Sequence, residues 1–203
     1  YAPCIAMAGA VAKPVLLRPP HYTFDPDELR AAVTAKTKLI LLNTPHNPTG
    51  RVFTRDEMLS IAAIAIERDL IVVTDDVYEH LVFDGAAHVA MAALPGMRER
   101  TLSISSGGKT FNTTGWKIGW LCGPAPLVQA ARTAKQFLTY VSGGPFQPAI
   151  AVGLGLPDAF FAGIAADLQA KRDRLLPGLV EAGFTVFDEA RQQAVALGLE
   201  VGG

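Results

Sequence analysis

Two short apolar runs, with the start of a capped helix between them, constrain this chain most. Leu39 to Leu42 and Leu70 to Val73 are continuous, with no polar break. A strand with one face in water alternates apolar and polar residues. A strand covered on both faces does not, and it usually lies in a parallel sheet flanked by helices. Between the two runs, Thr54 to Glu57 spells a capping box. The Thr54 hydroxyl can accept from the Glu57 amide while the Glu57 carboxylate reaches back to the Thr54 amide. The helix it opens is expected to run to about Arg68. Strand, helix and strand in this order predict an α/β fold with a mainly parallel sheet.

The remaining elements extend that pattern. Val15 to Leu17 reads as a short strand. Asp25-Pro26-Asp27-Glu28 supplies an N-cap, a proline at the first helical position and an acid at N3, so a helix is expected there. Leu102 to Ser105 and Ile118 to Leu121 are weaker strands. Helices are expected from Pro126 to about Tyr140 and from about Asp158 to Ala182. No internal repeat or low-complexity segment interrupts the 203 residues.

Composition removes several classes of function. Half of the residues are apolar, 18% are charged, and the net charge is −1. That is a globular balance rather than a disordered one. No dense run of lysine and arginine offers itself to nucleic acid. The four histidines (His21, His46, His80 and His88) have no metal-ligand spacing, so no metal site is expected. Cys4 and Cys122 lie far apart and outside any CxxC pattern, and are expected to be buried or idle thiols in a reducing, cytoplasmic setting. No apolar stretch reaches the roughly 20 residues that span a bilayer. The first residues show no charged leader, and both ends are abrupt, as expected of a chain cut at either side.

In parallel α/β sheets, ligands gather at the carboxyl ends of the strands. Three segments therefore matter. Asn43 to Gly50 packs two prolines, a glycine and two asparagines into a stiff turn. Asn47 either satisfies its own turn backbone or points its amide at a ligand oxygen, to which it can donate without adding charge. Asp75 and Asp76 directly follow a buried strand, and carboxylates there need partners. Asp75 and Tyr78 are three apart and would share a side of one helical turn. The ordinary alternative is an Asp helix cap and a core tyrosine. Ser103 to Trp120 carries Lys109 after two glycines that let backbone approach a ligand. Serines and a second cation, Lys117, suit a phosphate. A cationic neighbour and partial burial would lower the pKa of Lys109, as a Schiff-base amine requires. A nucleotide P-loop is excluded, because its first glycine would fall on Ser103 and the residues after Lys109 are poor helix formers.

In this order the three segments resemble the class I/II aminotransferases, fold-type-I enzymes that use pyridoxal 5′-phosphate (PLP). The family's N-x-P-x-N-P-T-G turn is met by Asn43, Pro45 and Asn47 to Gly50. Its D-x-x-Y is met by Asp75 and Tyr78, and its S-x-x-K by Ser106 and Lys109. Its T-G-W-[RK]-x-G is met by Thr114 to Lys117 and Gly119. The wording of Met7 to Ala10 and Tyr78 to Gly85 is most similar to kynurenine/methionine and succinyl-diaminopimelate aminotransferases. The resemblance extends from Tyr1 to about Phe187.

The resemblance implies a three-layer αβα major domain over residues 1–153, incomplete at both ends. Residues 154–187 would hold a long helix and the start of a smaller domain, with 188–203 an unmatched tail in which Arg191 has no assigned role. It further implies amino acid and 2-oxo acid substrates, a cytoplasmic homodimer, and no nucleic-acid or membrane partner. Lys109 would be the catalytic Schiff-base lysine, which also shuttles the substrate proton. Asp75 would keep the pyridine nitrogen protonated, and Asn47 and Tyr78 would hold the ring 3′-oxygen. Ser106 and Lys117 would bind phosphate, Lys117 standing where many relatives carry arginine and lacking its bidentate fork. The family's ring-stacking aromatic and its carboxylate-binding arginine would lie outside this sequence. A PLP-dependent C–S β-lyase shares the fold and lysine, although such lyases usually carry histidine at the Tyr78 position. A non-catalytic PLP-binding regulator domain and an inactive fragment are the other readings of the same residues.

Overall fold

A computed structural model of the chain describes residues 1–141 and 143–186. The expected boundary at Phe187, the tail 188–203 and Arg191 lie outside the described residues. The chain forms two compact units, Tyr1–Thr37 and a second that begins at Lys38.

The first unit contains α1 (Ala2–Met7) and α2 (Pro26–Ala32). The α2 cap is the expected one, with the Asp25 carboxylate accepting from the Asp27 amide at 2.8 Å. Val15 to Leu17 forms no strand. A single bridge between Arg18 and Thr23 lies just beyond it. Pro14, Pro19 and Pro20 flank the run, and each removes a backbone donor that a ladder would need.

The second unit is built on a four-stranded sheet in the order β1 (Leu39–Asn43), β2 (Ile71–Asp75), β3 (Thr101–Ser106) and β4 (Gly119–Cys122). The first two pairings are parallel and the last is antiparallel. The expected mainly parallel α/β sheet is therefore present. Helix α3 (Arg55–Glu67) joins β1 to β2 and closes with both bonds of the capping box. It buries Met58, Ile61, Ala62, Ile64 and Ala65, which with Ile40, Leu70 and Val72 form much of the core. Fully burying side chains of this size contributes about 1.5–3 kcal/mol each. The short α4 (Gly107–Thr110), α5 (Ala125–Leu138), α6 (Gln147–Leu154) and α7 (Asp158–Glu181) follow.

Register fixes which side chains share a face. Asn43 pairs with Asp75, Asp75 with Ile104, and Thr74 with Ser103. Because side chains alternate along a strand, Asn43, Asp75, Ile104 and Ser106 fall on one face, and Thr74, Ser103 and Ser105 on the other. Cys4 and Cys122 are both free and exposed, so neither is the buried thiol that its spacing allowed. Among the described residues no single helix is long and apolar enough to cross a membrane.

Candidate active site

The carboxyl ends of β1, β2 and β3 bring the three predicted segments together. Asn43, the last residue of β1, ties two of them. Its side-chain Nδ2 donates to the Asp75 carbonyl at 2.9 Å, and its Oδ1 accepts from the Asn47 amide at 2.8 Å. The rest of the turn is held by its own polar groups. Thr44, fully buried, accepts from the Phe53 amide at 3.0 Å. The His46 ring and the Thr49 hydroxyl lie 2.8 Å apart, and burial holds the His46 pKa below its ordinary value. Arg51 anchors the exit of the turn by donating to the Glu57 carboxylate at 2.9 Å. That carboxylate also accepts from the Thr54 amide, so one acid serves both the cap and the loop.

So supported, Asn47 reaches across 31 residues of sequence, and its Nδ2 donates to the Tyr78 hydroxyl at 3.2 Å. Tyr78 does not sit on a helical turn with Asp75, as the spacing suggested. β2 stops at Asp75 and the chain continues in tight turns, with Glu79 N donating to Asp76 O and Leu81 N to Tyr78 O. The Asp75 carboxylate accepts from the Val77 amide at 3.3 Å, an Asx turn that starts this reversal.

The other acid of the pair goes to the opposite face. Asp76 is only 3% exposed. It accepts from the Thr74 hydroxyl at 2.7 Å and lies 3.6 Å from His88 Nε2. Desolvation pushes the Asp76 carboxyl up from the usual range, against the opposing pull of the Thr74 bond.

Ser106 ends β3 and stands at the N-cap position of α4, which carries Lys109, without a side-chain capping bond. The two glycines before the lysine have different jobs. A Cβ on Gly107 would lie 2.5 Å from Ile150 Cδ1, so this glycine serves the approach of α6 rather than of a ligand. Gly108 faces Thr114 instead, with 3.3 Å between its virtual Cβ and Thr114 Cα. Thr113 and Thr114 donate to the carbonyls of Gly107 and Gly108, both at 3.0 Å, which folds the T-G-W segment back over α4. Lys117 then adopts a left-handed conformation with φ of 57°.

The result is an open recess of about 270 Å³ lined by Ser106, Gly108, Lys109, Thr114, Lys117, Ile118 and Gly119. That is near the roughly 300 Å³ at which small-molecule sites begin. Lys109 Nζ stands 5.8 Å from the centre of the Tyr78 ring. Lys109 is exposed, not partly buried as expected, because the recess opens to solvent. Of the predicted residues, Ser106, Lys109 and Lys117 line one recess, and Tyr78 and Asn47 join it through the lysine. Asp75 shares the sheet face of Ser106. Sequence reasoning gave no individual role to Asn43, the brace, or to Thr114, a lining residue. Their places in the turn and in T-G-W were the available signal.

The family model for aminotransferase class I and II matches residues 1–199. The chain belongs to the class I and II aminotransferases. Enzymes of this family are PLP-dependent. The chain is 52% identical over 190 residues to the probable N-succinyldiaminopimelate aminotransferase DapC of Mycobacterium tuberculosis, covering 93% of this chain and 48% of that protein. It is 42% identical over 192 residues to kynurenine–oxoglutarate transaminase 3 of Rattus norvegicus, covering 86% and 42% respectively. The solved N-succinyldiaminopimelate aminotransferase from Mycobacterium tuberculosis matches with a TM-score of 0.87 at 52% identity, covering 92% of this chain and 49% of that one. These aminotransferase matches carry the α/β class expected from the sequence. The chain spans about half the length of the curated relatives it matches.

Proposed function

We propose that these residues form the cofactor-holding part of an aminotransferase that moves an amino group between an amino acid and a 2-oxo acid. The observation that carries this reading is the convergence of Lys109, Tyr78 and Asn47, from three strand ends, beside a recess that also holds Ser106 and Lys117.

The side chains suit PLP. The Lys117 ammonium and the Ser106 hydroxyl line the recess, donors suited to a phosphate dianion, with the Lys109 amine beside them. Gly108 keeps a side chain out of the same wall. When bound, PLP supplies an aldehyde that condenses with amines and a pyridinium ring that draws electrons from the substrate Cα. The protein does the rest. The Lys109 amine is the attachment point, and once freed it accepts and returns a proton at Nζ. The Asp75 carboxylate would hold a proton on the ring nitrogen of the bound cofactor. The Tyr78 hydroxyl, paired with the Asn47 amide, donates toward a phenolate-type oxygen without adding a full charge. Lys117 and Ser106 neutralise and orient the phosphate. Tyr78 at this position favours transamination over the β-lyase reading, for which histidine was expected.

The similarity to an N-succinyldiaminopimelate aminotransferase and a kynurenine–oxoglutarate transaminase supports an amino acid as donor and a 2-oxo acid as acceptor. We assign the active form to a cytoplasmic homodimer and residues 1–153 to its major domain, with a smaller domain beginning near residue 154. The family resemblance supports each of these assignments.

The test is a PLP titration followed by visible absorbance. The chain should give a saturable visible band. Asp75→Ala should weaken cofactor binding by about tenfold or more, the size of one lost charge-assisted bond of about 1.5 kcal/mol. Equal affinity in the two proteins would remove Asp75 from the site.

A further inference from the structure

Helix α7 touches both segments that carry the site. Its half-buried positions up to Arg172, namely Phe161, Ile164, Ala165, Leu168, Gln169 and Arg172, recur at helical spacing and form one stripe. At the start of this stripe the Phe161 ring stacks on His80 with centroids 4.4 Å apart and an interplanar angle of 23°. The same ring meets the edge of Phe111 at 6.1 Å. His80 follows Tyr78 by two residues, and Phe111 follows Lys109 by two. Three turns along the helix, Arg172 forks onto the Asp84 carboxylate, with Nη2 to Oδ1 at 2.8 Å and Nη1 bonded to Oδ2. Its guanidinium also lies 5.3 Å over the Phe83 ring. Gln169 accepts from the Asp84 amide at 3.1 Å.

We propose that Phe161 is a positioning residue of the Lys109 site: one ring on α7 bridges the Tyr78 segment and the Lys109 segment and sets the gap between them. Arg172 and Gln169 keep the far end of the Tyr78 segment in register with the same helix. The Tyr78 and Lys109 segments also meet through the lysine over the tyrosine ring, the Ser105 hydroxyl donating to Glu79 at 2.7 Å and, at the strand ends, the Asp76 amide donating to the Ile104 carbonyl at 2.8 Å. An aromatic ring is suited to this bridge because it offers a face to one neighbour and an edge to another. The inference rests on the reading of Lys109 and Tyr78 as cofactor residues, but its geometry does not need the cofactor.

The experiment is amide hydrogen exchange on the cofactor-free chain, comparing the unaltered protein with Phe161→Leu and Phe161→Tyr, with PLP adduct formation measured alongside. Phe161→Leu should raise exchange several-fold in both 79–84 and 107–112, and should slow adduct formation at Lys109 about tenfold. Phe161→Tyr, which keeps the ring, should restore both. Faster exchange confined to α7 would overturn the proposal, as would, where the unaltered chain forms the adduct, an unchanged adduct rate in Phe161→Leu. Coupled loosening of both segments, in a chain whose unaltered form binds no PLP, would sink the proposed function and still support the bridge. If Phe161→Leu loses its far-UV signal, Arg172→Asp addresses the same face. It should loosen 79–84, and adding Asp84→Arg should restore protection. Indifference to both changes would overturn the role given to α7.

Discussion

Asp75 and Asp76 share a peptide bond and leave the sheet on opposite sides. The sequence marked both as costly; Asp75 ends β2, and the residue after it turns back to the Thr74 hydroxyl on the other face. Asp76 is the buried one, and burial raises its pKa. The folded chain therefore holds this proton more tightly than the unfolded chain does. The stability from this group is fully present below the ordinary carboxylate pKa of about 3.9, and is lost as pH rises through the raised folded value. Asp76→Asn keeps an acceptor for Thr74 and removes the buried charge. It should cost less than about 1 kcal/mol at neutral pH and flatten the dependence of stability on pH above the ordinary carboxylate range. Asp76→Ala leaves the Thr74 hydroxyl with only its longer contact to the Ser103 hydroxyl at 3.1 Å and should cost about 1 kcal/mol more than Asp76→Asn. Urea unfolding across pH separates the two. Which acid is buried was not legible in the sequence, because adjacency alone carries no register.

Elements with strong local signals were the legible ones. The capping box at Thr54, the continuous runs of β1 and β2, and the long α7 all sit within a residue or two of their expected places. The short helices α4 and α6 were not legible. The four residues of α4 and the eight of α6, which contains Pro148 and Gly153, depend on packing, not propensity: Gly107 closes on Ile150, and Gly153 on the Phe111 ring. Isolated helices of this length are unstable in water. Val15 to Leu17 failed for the opposite reason: it had the right residues with prolines on either side. At α3 the cap is a measurable contribution. Thr54→Ala removes the bond accepted from the Glu57 amide at 3.2 Å and should cost about 1 kcal/mol in chemical denaturation. No loss of stability would mean that Arg51 and Glu57 hold the helix start without it.

At the scale of the molecule, the site exists because the sheet draws distant residues together. Asn43 braces Asp75, Asn47 meets Tyr78, and Lys109 stands over the same tyrosine. Motif order announced that grouping, since strand ends of a parallel sheet gather on one edge. The contacts that stiffen it were silent in the sequence. They are the fold of Thr113 and Thr114 over α4, the close approach of α6 at Gly107, and the bridge from α7. Each is a tertiary contact between residues with ordinary structural alternatives. The exposure of Lys109 was also unforeseen, because burial depends on what covers the recess. The central claim is that Lys109, among all the lysines of the chain, is the one that joins the cofactor. Borohydride reduction of the chain with PLP, followed by peptide mapping, tests it most directly. The account predicts one dominant reduced adduct, on Lys109, which disappears in Lys109→Ala. A unique adduct elsewhere, or one that persists in Lys109→Ala, would contradict it.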